Sequence, residues 1–145
     1  MTMIKKGFTL IELLVTIAIM AVVAAAVLAA INPQQKVFAA YDSQGQAGIG
    51  QLATALQSWA TQNNGLYPTV AQGLGQLTTD SELQAIPAFP PNIVSWNYTA
   101  NAGATTSRVY VTMQSTKNIA RGAVFCWRSQ TGLTTYTTVA LCTAP

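Results

Sequence analysis

From Phe8 to Ile31 every residue is apolar except Thr9, Glu12 and Thr16. Those 24 residues would span about 36 Å as a helix, longer than a bilayer hydrocarbon core of about 30 Å, so the pattern predicts a membrane-spanning helix over 8–31. Pro33 interrupts it, because proline removes a helical hydrogen bond. From Gln34 to Asn63 the pattern turns amphipathic. Phe38, Tyr41, Ile49, Leu52, Leu56 and Trp59 recur at spacings of three, four or their sums, which puts them in one stripe of a second helix over 32–64. Gly45, Gly48 and Gly50 lie in this helix and mark either close packing or local looseness; looseness is the expectation, since each glycine costs up to about 1 kcal/mol relative to alanine.

Asn63-Asn64-Gly65 supplies a left-handed stop. Residues 66–92 read as a connecting loop with a short helix around Asp80 to Ala85, closed by Pro87, Pro90 and Pro91. Four alternating segments follow: Val94 to Tyr98, Arg108 to Met113, Ala123 to Arg128 and Thr135 to Leu141. The fold class is therefore α+β: a long N-terminal helix, apolar in its first half, packed on a C-terminal antiparallel sheet of about four strands.

Composition narrows the chemistry. Half the residues are apolar, concentrated before Pro33, and only 8% are charged. The basic residues are Lys5, Lys6, Lys36, Arg108, Lys117, Arg121 and Arg128; the acids are Glu12, Asp42, Asp80 and Glu82. The pI of about 9.1 invites a nucleic-acid reading. Two of the bases sit in the first six residues, however, and the others read as a scattered solvated surface. The chain has no histidine, which excludes Ser-His-Asp and Cys-His constellations and leaves two cysteines without partners for a metal site. No glycine-rich phosphate loop follows a strand. The expectation is a protein that is not an enzyme, with no catalytic residue, cofactor or metal.

The N-terminus admits three readings. A secretory signal peptide has an apolar region of about 7–15 residues, shorter than this one, although Ala24, Ala25 and Ala26 resemble a cleavage site. A plain membrane anchor explains the length, and Lys5 and Lys6 explain the orientation, with the C-terminal domain on the non-cytoplasmic side. Neither accounts for Glu12. A carboxylate costs up to about 2.5–3.5 kcal/mol at a bilayer centre, and an anchor gains nothing from it.

The run Lys5-Lys6-Gly7-Phe8-Thr9-Leu10-Ile11-Glu12-Leu13-Leu14-Val15 resembles the class III leader and N-terminus of type IV pilins and type II secretion pseudopilins. The resemblance covers about the first 30 residues and is most like a type IV major pilin. It implies the type IV pilin fold, with leader 1–7, transmembrane and filament-core helix 8–31, amphipathic helix 32–64 and head 65–145. It implies cleavage between Gly7 and Phe8 by a membrane prepilin peptidase, N-methylation of Phe8, and an assembly role for Glu12. A glycine at the cut offers no side chain to obstruct a protease. The new amine at Phe8 would meet Glu12 of a neighbouring subunit and offset part of the cost of burying its carboxylate. Small residues from Ala21 to Ala30 would let such helices approach closely. Many pilins close a C-terminal loop with one bridge, which here would join Cys126 and Cys142; two free buried thiols are the alternative.

Implied partners are copies of the chain in a helical filament, prepilin peptidase, the pilus assembly ATPase and the platform protein. The chain would sit in the inner membrane before assembly and on the cell surface afterwards, and would meet nucleic acid only at the level of the filament. The filament would serve adhesion, motility or DNA uptake. Two alternatives stay open. Tyr67-Pro68-Thr69 followed by Gly73-Leu74 and Leu77 resembles the loop of a major pseudopilin, which forms a periplasmic piston. A membrane-anchored surface domain that never polymerises is the other.

Overall fold

The structure is a computed structural model describing residues 7–93 and 95–143. The leader residues before Gly7, Lys5 and Lys6 among them, lie outside the described residues, as do Val94 and residues 144–145. In chain order come α1 (Leu10–Ile31), α2 (Pro33–Gln62), α3 (Gly75–Thr79), β1 (Asn97–Ala100), β2 (Ser107–Thr112), α4 (Thr116–Ile119), β3 (Ala123–Arg128), β4 (Thr134–Thr138) and α5 (Val139–Thr143). The fold is α+β, and the sheet is an antiparallel meander in the order β1-β2-β3-β4. Two compact units result, Met1–Lys36 and Val37–Pro145.

In the first unit, α1 has no buried residue. It ends at Asn32, whose backbone is left-handed at φ 47°. Two local causes converge there: the residue before a proline is kept out of the α region, and asparagine tolerates the left-handed one. Pro33 then opens α2, a position where its missing N–H is no loss. The Asn32 carbonyl accepts the Gln35 N–H at 3.1 Å.

In the second unit, α2 packs its apolar stripe on one face of the sheet. Ile49, Leu52 and Leu56 are fully buried and Trp59 nearly so, against Val109, Val111 and Trp127. Phe38 and Tyr41 stand apart from this core; they are half-buried and packed on each other, ring centres 6.5 Å apart. The other face of the sheet carries a smaller cluster of Tyr110, Val124 and Cys126 with Cys142 from α5. The strict alternation of burial along β2 is the register of these two faces.

Gly45 and Gly48 correct the expectation of looseness. Both are buried. A Cβ at Gly48 would stand 2.4 Å from the Trp96 ring, and one at Gly45 would stand 3.2 Å from Val111. These glycines let helix and sheet close on each other, whereas Gly50 faces open space. Gly48→Ala therefore sets two effects against each other. Alanine gains up to about 1 kcal/mol of helix propensity, but overpacking costs about 1–3 kcal/mol. The indole cannot swing aside freely, because its Nε1 donates to the Pro87 carbonyl at 2.8 Å. Gly48→Ala is expected to lower the melting temperature of the full chain in detergent, and Gly50→Ala to raise it.

Asp42 is the buried acid of this unit, 5% exposed. Its Oδ1 accepts the Gln114 N–H at 2.5 Å, and its Oδ2 accepts the Ser115 N–H at 3.2 Å and the Asn118 amide at 2.9 Å. It thereby fastens α2 to the connection between β2 and β3.

The loop after α2 is tied down by side chains. Trp59 Nε1 donates to Asp80 at 2.7 Å, Gln62 donates to Glu82, and the Tyr98 hydroxyl donates to the Pro68 carbonyl at 2.6 Å. The Trp59 and Gln76 donors hold the Asp80 carboxyl below the usual range, while burial pushes the Tyr98 phenol up.

Several elements differ from expectation. The short loop helix is Gly75–Thr79, and Ser81 at φ 62° closes off the expected Asp80 to Ala85. The first strand starts at Asn97, because Trp96 turns into the core. The last strand ends at Thr138, and Val139 to Leu141 are helical. The short helix α4 was not expected at all.

Candidate functional site

The N-terminal segment is built on Thr9. Its backbone is extended, at φ −82° and ψ 150°, and it caps α1. Its hydroxyl oxygen accepts the Glu12 N–H at 3.3 Å, while its own N–H and hydroxyl donate to Glu12 Oε2 at 3.0 and 2.8 Å. This reciprocal capping box satisfies two orphan donors of the first turn and puts a carboxylate where the helix dipole favours one. The sequence reading missed it, although the signal Thr9-x-x-Glu12 was present.

The consequence is geometric. Glu12 Oε2 is occupied by Thr9, and Oε1 has no hydrogen bond among the described residues. A carboxylate offers about four lone-pair sites, so Oε1 can take another donor without breaking the cap. Phe8, immediately before the cap, is 86% exposed. Gly7 is exposed, and a Cβ there would meet nothing within 4 Å. The backbone at Gly7 and Phe8 is thus accessible to an enzyme.

Behind this start runs a helix of 22 residues, long and apolar enough to cross a membrane. Its apolar side chains are exposed on every side, which suits lipid or a bundle of like helices and not water. The one hydroxyl in its interior, on Thr16, is satisfied by the Leu13 carbonyl at 2.8 Å.

Residues 2–28 match the prokaryotic N-terminal methylation motif. The match covers the N-terminal segment alone, and that segment is similar to the start of type IV pilin and pseudopilin precursors. The matched span contains Gly7, Phe8 and Glu12, and the motif supports a pilin-like or pseudopilin substrate of prepilin peptidase. No curated protein and no solved structure matches it.

Far along the chain, Cys126 of β3 and Cys142 of α5 form a disulfide, with Cα atoms 6.0 Å apart and both residues fully buried. The bridge closes a loop of about 15 residues, worth about 3 kcal/mol in the chain-entropy account. It also tethers a five-residue helix far too short to persist alone. Changing both cysteines to serine is expected to lower unfolding free energy by about 3 kcal/mol. Urea titration of the full chain in detergent checks this; a loss under about 1 kcal/mol would mean that α5 holds without its tether.

Proposed function

We propose that the chain is a structural subunit of a type IV pilus-like filament, cut between Gly7 and Phe8, N-methylated at Phe8 and assembled through its N-terminal helix. One observation carries the reading. A carboxylate stands in the first turn of a helix that is otherwise apolar all round, with one oxygen uncommitted, four residues after an exposed Gly-Phe junction. After cleavage the neutral peptide nitrogen of Phe8 becomes an amine. Because Thr9 occupies only Oε2, Oε1 of Glu12 can accept the amine of a neighbouring subunit while the cap stays intact. Membrane anchoring precedes assembly, and the head is carried to the far side of the membrane.

Support for a pilus over a pseudopilin comes from the disulfide, which clamps the C-terminal loop of a head that must survive outside the cell. The pseudopilin reading draws on the ordered loop, in which Pro68, Leu74 and Leu77 are buried. Imaging and fractionation separate the two. Cells carrying the gene are expected to show surface fibres containing a subunit that lacks its first seven residues and is heavier by one methyl group. Fibres confined to the periplasm would give the function to the pseudopilin reading. An intact, monomeric membrane protein would overturn both.

A further inference from the structure

On the face of the sheet that α2 does not cover, two arginines stand directly opposite each other. Arg108 of β2 and Arg128 of β3 are Cα partners, and Thr99 of β1 is the partner of Arg108 on its other side. Like charges directly opposite across an antiparallel pair repel. Nothing within the described chain relieves this. Among the described residues each of the four side-chain carboxylates is engaged elsewhere: Glu12 with Thr9, Asp42 with the β2–β3 connection, Asp80 with Trp59, and Glu82 with Gln62. The guanidinium of Arg108 gives one bond, from Nη1 to the Thr143 carbonyl at 2.9 Å. The Nε atoms of Arg108 and Arg128 and the hydroxyl of Thr99 are buried without a hydrogen-bond partner among the described residues. A buried polar atom left in that state calls for an explanation, and an absent ion is a standard one.

A cleft of about 280 Å³ opens beside Arg108 and Thr99, lined by Thr99, Ala100, Asn101, Thr106, Arg108 and Gln130, with Arg128 outside the lining as the cross-strand partner of Arg108. Its lining offers a guanidinium, hydroxyls and amides, and no carboxylate. We propose that Arg108 and Arg128, with Thr99, form an oxyanion site that takes a phosphate group. The Arg108 fork lines the cleft and Arg128 stands directly opposite it across the ladder, so two positive charges and paired donors lie close together, which match a phosphate dianion better than a single carboxylate. The hydroxyl of Thr99 and the amides of Asn101 and Gln130 can donate to the remaining oxygens. At about 280 Å³ the cleft has room for a phosphate group. The site lies in the head and needs neither processing nor assembly, so it stands or falls apart from the filament reading.

The test is calorimetric titration of the full chain in neutral detergent with inorganic phosphate and, separately, glycerol 3-phosphate. Saturable binding is expected, weakened at least tenfold in R108Q/R128Q and measurably in T99V. R108K/R128K keeps the charge but loses the forks and is expected to bind about tenfold more weakly than wild type. K117Q/R121Q, which removes equal charge elsewhere, is expected to bind as wild type does. Tighter binding of the monoester assigns the site to phosphate carried on a larger molecule, and equal binding assigns it to free phosphate; either supports the site. Circular dichroism of each variant shows whether the fold is retained. No saturable binding to the wild-type chain would overturn the proposal. So would equal loss in K117Q/R121Q, or unchanged binding in a folded R108Q/R128Q.

Discussion

Asp42→Ala is expected to destabilise the head by about 3 kcal/mol, among the largest effects of any single polar substitution in this chain. The carboxylate accepts three hydrogen bonds, two from backbone N–H groups that have no alternative nearby. Bonds to a charged acceptor contribute about 1.5–3 kcal/mol each, so a simple sum would be larger. Two effects reduce it. Ionised Asp42 itself loses hydration on burial, and water can enter the hole that alanine leaves. Asp42→Asn keeps the shape but sets an NH₂ group against a donor, so about half the loss is expected. Denaturant titration of the full chain in detergent measures both. If alanine cost less than about 0.5 kcal/mol, the tie between α2 and the β2–β3 connection would be ornamental.

Asp42 was invisible in the sequence for a physical reason. Its partners lie more than 70 positions away and two of them are backbone groups, which leave no mark on residue identity. Local patterns were legible. The apolar run gave α1, the period of three and four gave α2, and β3 matched its alternation from Ala123 to Arg128. What failed was whatever tertiary contact decides. Val139-Ala140-Leu141 reads as strand by residue type, yet a strand advancing about 3.3 Å per residue from Thr135 would carry Cys142 about 23 Å along the sheet. Thr135 is the register partner of Cys126, so the bridge at 6.0 Å requires the chain to wind back, and a helical turn does that. Gly48 failed in the same way, since only the position of Trp96 tells close packing from looseness. At the candidate site the residues were legible because the motif is contiguous. The capping box was equally legible in principle, and attention to the charge of Glu12 hid its second task.

That second task makes Glu12→Gln the decisive substitution. Glutamine at this position can still reach back to the Thr9 N–H, so the cap of α1 survives. What disappears is the negative charge and with it the mate proposed for the Phe8 amine. Breaking a buried pair by removing one member costs about 3–5 kcal/mol, and at about 1.4 kcal/mol per decade that is about two to three and a half decades in each docking equilibrium. Filament yield, measured by shearing and immunoblotting, is expected to fall at least tenfold in Glu12→Gln and just as far in Glu12→Leu, while both precursors accumulate in the membrane at wild-type levels. Equal failure of the two variants separates charge pairing from capping, since only Leu removes the side-chain half of the capping box. If Glu12→Gln built fibres normally and Glu12→Leu did not, the carboxylate would matter as a helix cap and the subunits would find their register by other contacts.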